Sequence, residues 1–397
     1  MGRILIGRRQ FLATTGALGA SLSLPFYNRA LAQDGAPIKI GSLQPMSGAQ
    51  GNEGNAHNNG FKLFLELNGN QVAGRRIELL EADDEMKPQV GIQKLRRFIE
   101  SDNVDFVVGP ASSGVALSIT DYINQTGKVW VISGAALASL TREKKSPLFF
   151  RTSTTTWQTN HPAGVWAAEN AAKKAVLIAP DYAGGRDSMT EFKQAFEASG
   201  GEIIKEVYPP MGSKDLSAYL TAIRAMNPPM VYAFYAGLDA VTFIQQYEQF
   251  GLKDKILLVV SGFAVDSEVL GAIGKAALGV VSALHYTPEL DTPVNKTFVD
   301  AYQKKFNKKP GYSAEYGYTA AAVITEALKQ VGGNTGDQAK FMDALRGVRL
   351  DVPRGPFRFD PKTQNVIQNI YIRKVIERDG ALGNEIISTI KDVTDPG

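Results

Sequence analysis

Val104-Asp105-Phe106-Val107-Val108-Gly109-Pro110-Ala111-Ser112-Ser113-Gly114 joins a short apolar run to a loop of small residues, and a helical pattern ending near Gln125 follows. Apolar residues at consecutive rather than alternate positions are what a strand needs when helices cover both its faces. Runs of the same character, rich in Val and Ile, occur at 38–43, 77–80, 129–132, 175–178, 230–235, 256–260 and 279–284. Amphipathic stretches separate them: in 91–101, Ile92, Leu95, Phe98 and Ile99 fall on one stripe, with Lys94, Arg96 and Arg97 on the other side. This alternation predicts an α/β fold with helices flanking parallel sheets, where ligands sit beyond the carboxyl ends of the strands. The last third differs: 293–306, 316–331 and 338–346 are consecutive helical patterns, and Pro353-Arg354-Gly355-Pro356 breaks the run before 357–359 and 366–375, which alternate like strands.

Attention therefore goes to the loops leaving the strands. Met46-Ser47-Gly48-Ala49 through Gly54-Asn55 leads into a helix holding Phe61, Phe64, Leu65 and Leu67, and Gly109 to Gly114 opens the next such helix. Both set hydroxyls and free backbone N–H groups at a helix N-terminus, where aligned peptide dipoles favour a negative group such as a carboxylate. Ser112 and Ser113 also fit the plain role of N-caps. Asp181-Tyr182-Ala183-Gly184-Gly185-Arg186 and Tyr235-Ala236-Gly237 each bring an aromatic ring to a strand end beside glycines that admit close backbone approach. Ordinary turn chemistry with a packed tyrosine explains either loop equally well.

At the other end of the chain, Gly7-Arg8-Arg9-Gln10-Phe11-Leu12 reads as a twin-arginine export signal. Residues 11–24 form its weakly apolar stretch and Ala30-Leu31-Ala32 its small-x-small cleavage site before Gln33. A membrane-spanning helix needs about 20 apolar residues, and this stretch is shorter and interrupted by Gly16, Gly19, Ser21 and Ser23. Residues 1–32 are thus expected to be removed, leaving a periplasmic protein, and no cysteine follows to carry a lipid anchor. The formal charge of +3 loses Arg3, Arg8, Arg9 and Arg29 with that segment and becomes −1, which gives no footprint for nucleic acid or anionic lipid. The remaining 365 of 397 residues, in a chain 44% hydrophobic, suit two lobes with separate cores better than one.

Enzyme and cofactor signatures are sparse. No Gly-x-Gly-x-x-Gly follows a strand and no Gly-x-x-x-x-Gly-Lys-[Ser/Thr] occurs, which disfavours dinucleotides and ATP. His57, His161 and His285 show no metal-ligand spacing, and with zero cysteine neither a metal nor another cofactor is expected. Gly109 to Gly114 does not match the Gly-x-Ser-x-Gly of a serine hydrolase. A spatial triad using Ser112 or Ser113 with a histidine remains the enzymatic alternative. Lys304, Lys305, Lys308 and Lys309 read as a solvated face.

In order and spacing, several segments resemble the periplasmic solute-binding proteins of ABC importers of the branched-chain amino acid (leucine/isoleucine/valine-binding) type, over essentially the whole mature length. They are 38–48, Ala73-Gly74-Arg75-Arg76-Ile77-Glu78-Leu79, Val107-Val108-Gly109-Pro110 with Ser112-Ser113, Phe150-Arg151-Thr152, Asp181-Tyr182-Ala183-Gly184-Gly185, 302–310 and 316–321. The resemblance implies a type I periplasmic-binding-protein fold of two doubly wound parallel-sheet lobes joined by three crossings, near 152–156, 283–287 and 353–360. Lobe 1 is expected over 36–153 and 286–352, and lobe 2 over 154–285 and 353–397. A small carboxylate or amino acid would bind between them, for delivery to an inner-membrane ABC permease without covalent chemistry.

The same resemblance implies that Ser113 donates a hydroxyl to the ligand carboxylate, that Ala135 and Leu137 supply backbone or wall contacts, and that Tyr182 and Tyr235 close over it from the second lobe. Amino-acid binders of this type carry an acid after the strand matching 256–260, to pair with the ligand ammonium, whereas this chain reads Ser261-Gly262-Phe263-Ala264, with Asp266 the nearest acid. Losing that partner costs on the order of 3 to 5 kcal/mol and selects against amino acids. Glu53 stands where relatives often present an aromatic residue, either as a partner for a cationic group or as a first-turn carboxylate on the helix dipole. Trp157 and Phe263 are candidate flat apolar walls. Ligand class stays open between an aliphatic amino acid and an aromatic or other deaminated acid. A ligand-sensing receptor lobe without transport is the other alternative.

Overall fold

Alternate residues of the central strands enter cores on opposite faces of their sheets, which explains the unbroken apolar runs. The computed structural model describes residues 35–397, and the expected export signal and its cleavage site lie outside the described residues. The first sheet is built from β1 (Ile38–Gln44), α1 (Gly51–Leu67), β2 (Gln71–Val72), β3 (Arg75–Asp83), α2 (Pro88–Arg96), β4 (Phe106–Val108), α3 (Ser113–Thr126), β5 (Val129–Ile132) and β6 (Phe149–Arg151). Its order is β2-β3-β1-β4-β5-β6, parallel except at the β2–β3 hairpin. Phe106, Val108, Val129 and Val131 pack with Phe61 and Leu65 of α1 on one face. Val107, Trp130 and Ile132 pack with Leu95 of α2 and Val115, Ile119 and Ile123 of α3 on the other.

The chain then crosses to a second set: α4 (Thr156–Asn170), β7 (Lys174–Ile178), α5 (Ala183–Ala198), β8 (Glu202–Val207), α6 (Ser217–Met226), β9 (Met230–Ala233), α7 (Gly237–Gln249), β10 (Leu257–Ser261), α8 (Ser267–Ile273) and β11 (Val281–Leu284). Three helices follow, α9 (Pro293–Phe306), α10 (Tyr312–Gln330) and α11 (Gln338–Gly347), and then β12 (Arg349–Val352), β13 (Gly355–Phe359), β14 (Val366–Arg378) and β15 (Ala381–Val393). The second sheet runs β12-β13-β14-β11-β10-β9-β7-β8 with β15 paired to β14; the β7 to β11 portion is parallel and the C-terminal strands are antiparallel. All eight expected runs form strands: β5 matches end for end, β1, β4, β7, β9, β10 and β11 have ends shifted by one or two residues, and β3 is longer by two residues at its start and three at its end. The β12–β13 hairpin belongs to the second sheet by hydrogen bonding, yet Phe357 and Phe359 are buried in the first core.

Helix α10 returns to the first core and is buried from Ser313 to Thr325. It meets α1 backbone to backbone. A Cβ on Gly60 would sit 1.8 Å from the Ala314 carbonyl oxygen, and one on Gly317 1.9 Å from that of His57. Only hydrogen fits at these two positions, so α1 and α10 are held as one body.

Two passages of chain between the sheets and the turn of the β12–β13 hairpin meet at α10. Arg354, fully buried, donates from Nε to Glu315 Oε1 at 2.8 Å, from Nη1 to the Thr152 carbonyl at 2.8 Å and to Gln368 Oε1 at 2.7 Å. Its Nη2 lies 2.5 Å from Glu315 Oε2, and His285 Nε2 approaches the same oxygen at 3.3 Å. Tyr316 stacks on His285 with ring centroids 4.5 Å apart, and its hydroxyl is 2.8 Å from Thr154 Oγ1. Thr152 and Thr154 follow β6, His285 follows β11 and Arg354 lies in the turn between β12 and β13, so one turn of α10 ties two passages and this hairpin together.

Candidate functional site

Beyond the carboxyl ends of β1, β4 and β5 on one side, and of β7, β9 and β10 on the other, lies a cavity of about 320 Å³. Its near wall is cross-tied. Trp130 Nε1 donates to the Gly109 carbonyl at 2.5 Å, Gly109 N–H donates to Ser133 Oγ at 3.0 Å, and Ala135 N–H donates to the Pro110 carbonyl at 2.7 Å. Gly109 has φ +93° and a Cβ there would fall 2.1 Å from the Leu43 carbonyl oxygen, so the loop can hug β1 only as glycine. This bracing presents Ser112, Ser113 and Gly114 at the start of α3, where the Ser112 hydroxyl accepts from Val115 N–H at 3.4 Å.

The far wall is aromatic. Tyr182, Phe234, Phe263, Tyr312 and Tyr316 follow one another around the cavity, with successive centroids 6.5, 6.2, 4.8 and 5.6 Å apart and the last three pairs edge-to-face. Residues from the first turns of α3, α4, α5 and α10 and the N-cap of α7 also line the space. Each helix N-terminus carries a partial charge of roughly +0.5. Those of α5 and α7 have no side-chain cap, so their first N–H groups are free to meet a ligand. Among the described residues, no Asp, Glu, Lys or Arg lines the cavity.

Of the residues singled out in the sequence, Ser113, Tyr182 and Phe263 line this cavity and five do not. Ala135 is fully buried and its backbone is already engaged: its carbonyl accepts from Arg151 and from Ser153 Oγ, and its N–H goes to Pro110. Leu137 packs into the first core and gives its carbonyl to Arg151 Nη2 at 2.9 Å; the neighbouring Ala136 lines the cavity instead. Tyr235 points to the α6–α7 face of the second sheet, stacked on Phe243 at 4.5 Å, because side chains alternate at the strand end and Phe234 takes the cleft side. Trp157 stacks on His161 at 4.5 Å along α4, and Thr156 reaches the cavity in its place.

Glu53 is buried in the first turn of α1, outside the cavity lining. Asp266 is buried as well, caps α8 and accepts from Tyr312 N–H at 3.3 Å, so it faces the start of α10 rather than the ligand space. Burial, opposed by a backbone hydrogen bond and reinforced by Asp266, raises the Glu53 carboxyl to about 7. Asp266 is pushed up to about 6 by burial against the pull of Arg373, and Glu268 is held well above the carboxylate range by burial, with Asp266 and Glu53 adding to it and Lys308 opposing. The Tyr312 hydroxyl is raised by burial and feels the same three acids.

Folded protein therefore keeps a proton on Glu53 that the unfolded chain releases between pH 4.5 and about 7, and stability falls as pH rises through that window. Glu53→Gln removes this dependence. Thermal melts should show the variant more stable than wild type at pH 8, by up to roughly 3 kcal/mol, with the gap closing toward pH 5. The buried His57 and His285 act with opposite sign below pH 6.5, but they are common to both proteins and cancel in the difference. A gap that does not change with pH would show that Glu53 is ionised throughout.

Sequence reasoning missed Gln44, His57, Ser133, Phe234, Tyr312 and Tyr316, all of which line the cavity. His57, lowered to about 4 by burial, is neutral, and its Nε2 lies 2.8 Å from Ser133 Oγ. Its Nδ1 has no partner among the described residues, so no carboxylate orients this ring as a hydrolase triad requires.

Two sheets of this topology with a cleft at their carboxyl edges define a type I periplasmic-binding-protein fold. The chain belongs to the periplasmic binding protein family, whose sequence model matches residues 37–381. It is 30% identical over 366 residues to Leu/Ile/Val-binding protein homolog 6 of Brucella melitensis, covering 91% of this chain and 93% of that one. Among solved structures, it is similar to an ABC transporter substrate-binding protein from Sphaerobacter thermophilus, at 37% identity and a TM-score of 0.86 over 90% of this chain and 98% of the other. It is also similar to a solute-binding protein of an ABC transporter from Rhodopseudomonas palustris BisB5, solved with 3,4-dihydroxybenzoic acid, at 34% identity and a TM-score of 0.87 over 92% and 99%. Among the described residues no helix is long and apolar enough to cross a membrane.

Proposed function

We propose that this protein is the extracytoplasmic receptor of an ABC importer and that its ligand is a small aromatic carboxylate rather than an aliphatic amino acid. The observation that carries the ligand class is the lining itself: helix N-termini and hydroxyls for an anion, aromatic faces for a flat ring, and no carboxylate for an ammonium among the described residues. A zwitterionic amino acid would find no carboxylate for its ammonium in this lining, Glu85 and Asp239 belonging to the adjoining pocket, while a ring acid brings no cation to pair. The similar R. palustris protein solved with a dihydroxybenzoic acid supports the same class. Ligand held by Ser113 and the α3 N-terminus from one lobe, and by Tyr182, Phe234 and Phe263 from the other, interacts most fully in the closed form and shifts the population toward it. The permease would then accept the closed shape. Micromolar affinity is worth about 8 kcal/mol, within reach of a few charge-assisted hydrogen bonds and one stacked ring.

Thermal shift and calorimetry against benzoate, its hydroxylated forms, leucine and valine test the reading. Ring acids should raise the melting temperature by several degrees at millimolar concentration while the aliphatic amino acids leave it in place. The reverse pattern would overturn the ligand class.

A further inference from the structure

Gln44 ends β1 with its side chain fully buried, and it is one of the residues that line the cavity. Neither Nε2 nor Oε1 has a hydrogen-bond partner among the described residues. The amide lies against the Gly109 backbone, where a Cβ would come within 2.8 Å of Nε2, so it is wedged in place with little room to turn elsewhere. His57, which also lines the cavity, has an unpartnered Nδ1 among the described residues. Buried polar atoms are almost always paired, and when a cluster of orphans borders a ligand cavity the partner is expected from the ligand.

We propose that Gln44 reads a hydroxyl on the ring of the ligand, so that the site selects hydroxylated aromatic acids over the unsubstituted acid. The inference rests on the ring-acid reading above and narrows it. A carboxylate could accept only from Nε2 and would set a negative charge against Oε1. An ammonium could satisfy only Oε1. A hydroxyl both donates and accepts, and it satisfies the two amide atoms whichever way the amide is turned. The ligand carboxylate is then left for the α3 N-terminus and Ser113, with the ring spanning the aromatic wall between the two polar ends. A site built to bond a hydroxyl discriminates strongly against the analogue that lacks it, because its own polar groups stay unpaired.

Calorimetric titration of the protein with benzoate, 3-hydroxybenzoate, 4-hydroxybenzoate and 3,4-dihydroxybenzoate tests this. At least one hydroxylated acid should bind ten- to a hundredfold more tightly than benzoate to the wild type. In Gln44→Met, which keeps the length and removes both amide atoms, that ratio should collapse to within about threefold of unity; Gln44→Leu serves if the methionine variant does not fold. Benzoate binding as tightly as every hydroxylated acid, or an undiminished ratio in a folded Gln44 variant, would overturn the proposal while leaving the ring-acid reading intact. Leucine binding with no response to any ring acid would overturn that reading and this one together.

Discussion

Glu315→Gln lowers the stability of the folded protein by roughly 3 to 5 kcal/mol and the melting temperature by roughly 4 to 7 °C. Glu315 and Arg354 are both completely buried, and the guanidinium faces the carboxylate through Nε and Nη2. Once the carboxylate is neutral, an uncompensated cation remains in a dry site. Burial alone would raise the Glu315 carboxyl, but Arg354 and the His285 contact outweigh it and bring it down to about 2. A carboxyl depressed from 4.5 supplies stability that is complete above pH 4.5 and is lost as pH falls from there toward 2. The variant should therefore lose stability at neutral pH and also lack this acid limb. Replacing both partners by apolar residues, Glu315→Leu with Arg354→Met, should recover much of the loss, because no charge is then stranded. A single variant that melts within 2 °C of wild type would show that these passages of chain are held by something else.

Ser113→Asp should weaken binding of the tightest ring acid by at least a hundredfold without harming the fold. Like charges about 4 Å apart repel by about 4 kcal/mol at an effective dielectric constant near 20, and the new carboxylate also competes for the N–H groups at the start of α3. An acid in the first helical turn interacts favourably with the dipole, so the melting temperature of the ligand-free variant should hold or rise slightly. Ser113→Asn, neutral and of similar size, should cost less than about tenfold, since one neutral hydrogen bond is at stake. The contrast between the two variants reads charge rather than shape. Equal affinities for wild type and Ser113→Asp would place the ligand carboxylate elsewhere in the cleft.

Strands buried on both faces were the most legible part of the chain, because Val129 to Ile132 or Ala175 to Ile178 must be apolar at every position whichever core each side chain enters. β8 and β15 were not recognised, since they run along sheet edges and much of their length is exposed and polar. The same uniformity hid which of Phe234 and Tyr235 faces the cleft: with both faces apolar, alternation leaves no mark. Ser113 was legible from a local rule, a hydroxyl at a helix start. Ala135 and Leu137 fall outside the cavity lining, and Arg151 takes both their carbonyls, a side-chain bond across 14 to 16 residues that no local pattern announces. Glu315 with Arg354, 39 residues apart, was unreadable for the same reason.

Tyr316 stands at once on the wall of the cavity and among the groups that join the two sheets, hydroxyl to Thr154, ring against His285 and Arg354 at 5.0 Å above its face. A side chain shared between the cavity wall and this junction is not free to drift toward a new shape. Divergence of diet among descendants of this scaffold should run through Phe234, Phe263 and Met211, another residue of the cavity lining, while position 316 stays a tyrosine. Anyone retuning the receptor as a sensor would do well to begin with those three and leave the junction alone.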